Sequence, residues 1–229
     1  MRRIREVRVV VPARDEQDRI DRCLDGIAAA RAVVEARGVV VRVVVVADAC
    51  RDATAAVAAA HDGVEVVSIA AARVGVARHR GVGAFADDGH GADPATVWTA
   101  STDADSVVPP DWLAVHLALA DAGADAVLGL VHLRPDDASA AVLARWHAKA
   151  GLGERVHGAN LGVRLDAYRA VGGFPPLAAH EDVSLVTALR AAGRRVVPTT
   201  RASVLTSGRR DGRAPSGFAG HLRAIALQD

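Results

Sequence analysis

The residues best suited to chemistry are carboxylates. Asp103 and Asp105 stand one residue apart, directly after an apolar run at 96–100 and shortly before Pro109 and Pro110. Carboxylates at i and i+2 on a chain leaving a strand can share one ligand, and hard oxygen donors suit Mg2+ or Mn2+. Such a cation neutralises the charge that builds on a departing diphosphate. A surface turn is the plain alternative, because Asp is common in turns. A calcium loop of the EF-hand kind does not fit: Val107 stands where an oxygen ligand belongs, and Val108 where the loop needs Gly. A second acidic pair, Glu181 and Asp182, opens a helical pattern over 183–192. A hydroxyl is a poor nucleophile until a carboxylate takes its proton. Acids are also simply favourable in the first turn of a helix.

Regular elements must bring these acids together. The apolar, β-branched runs 7–11, 39–46, 64–69 and 96–100 predict strands. Between them, 16–37, 53–60 and 74–86 predict helices, the first from Ile20, Cys23, Leu24 and Ile27 at helical spacing. Pro12 is expected to end the first strand and Gly38 the first helix. Strands alternating with helices imply an α/β fold, a Rossmann-like, mostly parallel sheet with helices on both faces. Ligands of such sheets bind at the carboxyl ends of strands. There the chain carries Arg14-Asp15-Glu16, then Asp48 with Asp52, then Asp103 with Asp105. The second half predicts a helix at 113–122, a strand at 126–133, a helix at 138–150 and a Gly-rich connection at 151–158. After it come the helix at 183–192, a short strand at 195–197 and an Arg- and Gly-rich tail at 207–216. No repeat or linker divides the chain, which predicts one domain over 1–229.

Bulk properties narrow the function. The 229 residues are 51% hydrophobic, enough for a packed core, with a formal net charge of +1. Acids and bases are interleaved and only 3% of residues are aromatic, which speaks against nucleic acid as a partner. Cys23 and Cys50 have no metal-site spacing, and Cys23 reads as a core residue. No apolar run reaches membrane-spanning length, and the first residues run straight into a strand without the form of a signal peptide. The expectation is a cytoplasmic protein without a transmembrane segment, with peripheral membrane contact left open.

The segment around Asp103-Ala-Asp105 resembles the DxD motif of family 2 glycosyltransferases, which have the GT-A fold. Four further stretches resemble the same family in the same order. They are 9–16 (VVVPARDE), 44–54 (VVVADACRDAT), 158–162 (GANLG) with 170–174 (AVGGF), and 180–182 (HED). The resemblance covers roughly residues 7–200.

By that resemblance the chain is an inverting, metal-dependent transferase. It would move a sugar from a nucleotide-diphosphate sugar, UDP foremost, to a small-molecule, glycan or lipid-linked acceptor, with Mn2+ or Mg2+ as cofactor. Residues 1–106 form the nucleotide-sugar half, 107–206 the acceptor half, and 207–229 a flexible tail with a short helix. Pro12, Ala13 and Glu16 lie beside base and ribose. Asp48 accepts from the imino N–H of uracil, although Ala47 and Ala49-Cys50 depart from the family's usual acid and small polar pair. Arg73, with Arg78 and Arg80, lies near the base and diphosphate, and Asn160 near the donor sugar. Asp105, with Asp103, holds the metal. Asp182 is the base, and Glu181 orients or contacts the acceptor. Thr206 and Ser207 stand where some members supply a His metal ligand. The tail arginines close over the diphosphate or lie solvated. Asp15, Glu16 and Asp52 have a competing role as helix caps. Two other functions remain open at this point: nucleotidyl transfer to a sugar phosphate, which the Gly-free loop 12–16 opposes, and non-catalytic binding of a nucleotide sugar.

Overall fold

The fold is seen in a computed structural model that describes residues 2–85, 92–137, 139, 142–146 and 156–209. Its strands are β1 (Glu6–Ala13), β2 (Val40–Asp48), β3 (Val64–Ile69), β4 (Val97–Ser101), β5 (Ala126–Leu133), β6 (Leu161–Arg164) and β7 (Val196–Thr206). The helices are α1 (Ile20–Glu35), α2 (Thr54–Ala59), α3 (Val74–Gly83), α4 (Trp112–Asp121), α5 (Leu165–Ala170) and α6 (Glu181–Ala191). Residues 142–146 are also helical; the remainder of the expected 138–150 helix, most of the 151–158 connection and the tail beyond 209 lie outside the described residues. One sheet runs in the order β3-β2-β1-β4-β6-β5-β7. Only β6 opposes its neighbours, pairing antiparallel with both β4 and β5.

The strands carry apolar residues on both faces because both faces are covered. Val7, Val9 and Val11 of β1 point into one core with Cys23, Leu24 and Ile27 of α1 and Trp112 and Leu113 of α4. Val10 points into the other core, with Ala77 and Val82 of α3 and Leu185 and Leu189 of α6. The period-2 alternation of a strand makes that division. In α1 the buried set Ile20, Cys23, Leu24, Ile27, Ala30 and Val34 follows the helical period and fixes which face packs. Among the described residues no helix is long and apolar enough to cross a membrane.

Three expectations need correction. Pro12 does not end β1: the strand continues to Ala13, with Pro12 opposite Val46. Pairing with β4 stops at Val10 opposite Ser101, so beyond it β1 has a partner on one side only, and a residue without an N–H is tolerated. The last strand is not 195–197 but Val196–Thr206. Its outer half reads as polar chain because β7 lies at the sheet edge, where polar and charged residues discourage pairing with other chains. The short strand β6 and helix α5 were not foreseen. Gly162 of β6 lets the strand lie against side chains: a Cβ there would sit 2.3 Å from His116 Nδ1 and 2.4 Å from Trp98 Nε1.

Candidate active site

A cleft of about 720 Å³ opens at the carboxyl ends of β1, β2 and β4, as the parallel half of the sheet requires. One wall carries Pro12, Ala13 and Glu16 after β1, Asp48 at the end of β2, and Arg73 before α3. Asp103 and Asp105 follow β4, and Glu181 and Asp182 face them from the start of α6. The structure therefore brings nine of the ten residues singled out from the sequence to one cavity.

Asn160 is the exception and is a correction. It is fully buried and does not line the cleft. Its Oδ1 accepts from Trp112 Nε1 at 2.9 Å and lies 3.2 Å from His116 Nε2. Its Nδ2 donates to the carbonyls of Leu130 and Ala202 at 2.9 and 3.1 Å. With donors and acceptor all used inside the protein, Asn160 joins α4, β5 and β7 rather than contacting a sugar. Trp98 Nε1 lies 3.3 Å from His116 Nδ1, so the ring is a neutral acceptor on that side. Burial holds the His116 pKa down to about 4.

The first two loops are clamped by side chains. Asp48 is buried and its carboxylate accepts from the N–H groups of Ala72 and Arg73 at 2.7 and 2.8 Å. That fixes the chain entering α3. Glu16 caps α1 with its carbonyl, which takes the Ile20 N–H, while its side chain turns to Arg209. Asp15 accepts from Arg51 N at 2.7 Å, and Asp52 accepts from Thr54 N and Gln17 N at 3.0 and 3.1 Å. Asp15 and Asp52 tie the first loop to the second and do not cap α1, while Asp52 meets the first N–H of α2, in keeping with the cap expected there. Asp15, Cys50 and Asp52 lie close enough to share a cation, with ligand atoms within 4.8 Å of one another.

The Asp-Ala-Asp turn rests on Cys23, whose buried thiol lies 3.3 Å from the Asp103 carbonyl. Asp103 pairs with Arg78, and Asp105 lies 3.1 Å from Arg209 Nη2. Thr206 Oγ1, where some family members would carry the His ligand, lies 3.4 Å from Asp105 Oδ1. Burial pushes the Asp105 pKa up to about 7, helped by the charges of Asp103 and Glu16 and opposed by Arg209. A carboxylate cluster this short of positive charge, made of hard oxygens, fits a divalent cation.

At the start of α6 Glu181 is buried and pairs with Arg78. Burial raises its pKa, and Arg78 works against that rise. Asp182 Oδ2 accepts from Gly158 N at 2.7 Å, and His180, at φ 63°, makes the left-handed turn that starts α6. Arg73 and Arg78 both line the cleft, and Arg78 spends its N–H groups on Ser101, Asp103 and Glu181. Its central place was missed. The signal was available: an arginine among Ala77, Gly81 and Val82 on the buried stripe of α3 requires buried acids nearby.

A family model described as glycosyl transferase family 2 matches residues 8–170. No curated protein matches the chain. Among solved structures, S. aureus TarS in complex with UDP aligns at a TM-score of 0.64 and 15% identity, covering 98% of this chain and 65% of that one. The mannosyltransferase PcManGT from Pyrobaculum calidifontis, in complex with GDP-Man and Mn2+, aligns at 0.64 and 22% identity, covering 100% and 66%. Glucosyl-3-phosphoglycerate synthase from Mycobacterium tuberculosis, in complex with Mn2+, UDP and phosphoglyceric acid, aligns at 0.63 and 17%, covering 97% and 78%. These likenesses are of fold, the GT-A type, and the chain spans slightly less than two thirds of the TarS and PcManGT chains. With its family model matched over residues 8–170, the chain belongs to glycosyl transferase family 2.

Proposed function

We propose that the chain transfers a sugar from a nucleoside diphosphate sugar to an acceptor hydroxyl with inversion at the anomeric carbon. The observation that carries this reading is the convergence of Asp48, Asp103 and Asp105 with Glu181 and Asp182 on one cleft. Residues 1–106 act as the donor half and 107–206 as the acceptor half of one domain. Pro12, Ala13, Glu16, Asp48 and Arg73 line the nucleotide side. Each Asp48 oxygen that accepts a backbone N–H retains a lone pair for the imino N–H of a base such as uracil. The fold relatives were crystallised with UDP or with GDP-Man, so both bases belong in the test.

Asp105, with Asp103, would hold Mn2+ or Mg2+, and the cation would offset charge on the leaving diphosphate. Asp182 takes the proton of the acceptor hydroxyl as the oxygen attacks. Its hydrogen bond from Gly158 N orients the carboxylate. Attack from the side opposite the nucleotide inverts the anomeric configuration. Glu181, buried behind Asp182, orients the start of α6. The acceptor is a small molecule, a glycan or a lipid-linked sugar.

Thermal shift with UDP and GDP, with and without Mn2+, tests the donor site. A shift that needs both nucleotide and cation is the expected result, because a ligand bound only by the folded state raises the melting temperature. No shift with any nucleotide would leave the cleft without a donor role. Product configuration by NMR tests inversion, and a retained configuration rejects it.

A further inference from the structure

One side chain, Arg78 of α3, touches both walls of the cleft. It is 3% exposed. A guanidinium keeps its charge at any pH a protein tolerates, so burial demands that it be fully paired. Nε donates to Ser101 Oγ at 2.9 Å, Nη2 donates to Asp103 Oδ1 and Nη1 to Glu181 Oε1. These partners come from the end of β4, the Asp-Ala-Asp turn and the first residue of α6. Burial alone would lower the Arg78 pKa, and Asp103 and Glu181 outweigh it and raise it.

The guanidinium also lies flush against Gly158. A Cβ on Gly158 would sit 2.5 Å from Arg78 Cζ, so a larger residue there would displace the arginine. The same Gly158 donates its N–H to Asp182. The N-terminal end of α3 is pinned in the same manner. Asp48 holds the Ala72 and Arg73 N–H groups on the donor side, and Gly75 N donates to Leu177 O at 3.0 Å, in the loop leading to α6.

We infer that Arg78 is a positioning residue whose fork fixes the spacing between Asp103 and Glu181, so that the cation-binding turn and the start of α6 hold one register. The cation belongs to the donor-site reading above; the bridge itself is independent of it. A lysine cannot replace this device. Its ammonium is a single point on a flexible stem, whereas the guanidinium presents separate N–H groups to separate oxygens.

The test is calorimetric titration of Mn2+ in the presence of UDP, and of GDP, on the whole chain. Glu181→Gln removes a charge that reaches the cation site through Arg78, and it is expected to weaken Mn2+ about fivefold or more. Asp182→Asn removes the same charge one residue further on, without a hydrogen bond to Arg78, and is expected to change affinity by less than about twofold. Arg78→Lys is expected to weaken Mn2+ about tenfold, and in that background Glu181→Gln adds nothing. Equal effects of Glu181→Gln and Asp182→Asn would overturn the bridge, since bulk charge would then explain both. A full Glu181→Gln effect in the Arg78→Lys background would overturn it as well. If Arg78→Lys does not fold, the comparison of the two acid variants still decides. If the unsubstituted chain binds no Mn2+ with either nucleotide, the donor-site reading fails. The bridge is then read from urea midpoints of Asp103→Asn, Glu181→Gln and the double variant: non-additive shifts support it and additive shifts overturn it.

Discussion

Two arginines hold the Asp-Ala-Asp turn, and they differ in kind. Arg78 comes from the middle of a packed helix, is shielded from water, and shares its charge between Asp103 and Glu181. Arg209 comes from chain that has just left the last strand, is partly exposed, and spans Glu16 and Asp105. The first belongs to the scaffold. The second is a counter-charge that follows the last strand and is less shielded from water than Arg78. Asp103 is therefore held by the scaffold, and in the proposed donor site Arg209 is the group that a cation would replace at Asp105.

The largest expected effect falls on Asp105. Asp105→Ala should abolish the Mn2+-dependent nucleotide shift and lower turnover on the order of a thousandfold, as loss of a key electrostatic stabiliser does. Turnover within a few fold of the unsubstituted chain would make Asp103 or another group the main ligand. Next comes the built-in arm. Arg78→Met leaves Asp103 and Glu181 without their shared charge and should cost about 3–5 kcal/mol of unfolding free energy. Adding Glu181→Gln should recover part of it, which urea denaturation can read.

The buried network under the cleft supplies a pH-dependent contrast. His116 is neutral in the fold, with a pKa near 4, whereas an unfolded histidine titrates near pH 6.5. The unfolded state thus takes up the proton first. Stability is complete above about pH 6.5 and declines as pH falls toward 4, by about 3 kcal/mol in total. His116→Gln should flatten that part of the pH profile while lowering stability at neutral pH. A slope unchanged by the substitution would assign the acid sensitivity elsewhere. The smallest effect is expected at Arg209. Arg209→Ala should cost less stability than Arg78→Met, because water reaches Arg209 more readily, and should tighten Mn2+ binding severalfold, because the guanidinium and the cation would compete for Asp105. If Arg209→Ala unfolds the chain as readily as Arg78→Met, the contrast between the two arginines collapses.

The strands and helices of the first half could be read from the chain because hydrophobic periodicity is a local property. β3 and β5 match their expected limits, and α1, β2 and β4 differ from theirs by a few residues. The acids after β1, β2 and β4 were legible for the same reason: in an alternating β/α chain, strand ends share one edge. The sequence was least informative where pattern and environment part company. β7 looks polar because it is an edge, β6 is only four residues long, and Asn160 sits in a Gly-rich stretch that reads as loop but is fully buried.

Residue types and their spacing along the chain thus set the class of fold, the edge of the sheet that carries the acids, and the candidate donors for a cation. They did not set which charge meets which. Arg78 finds Glu181 across 103 positions and Arg209 finds Glu16 across 193, and no local pattern carries such a pairing. Only the packed sheet brings those groups within hydrogen-bonding range. Once there, the cost of burying an unpaired charge selects the partner. The tertiary structure therefore decided that Asp103 is tied to α6 through Arg78, that Asp105 meets Arg209, and that Asn160 is bonded within the scaffold.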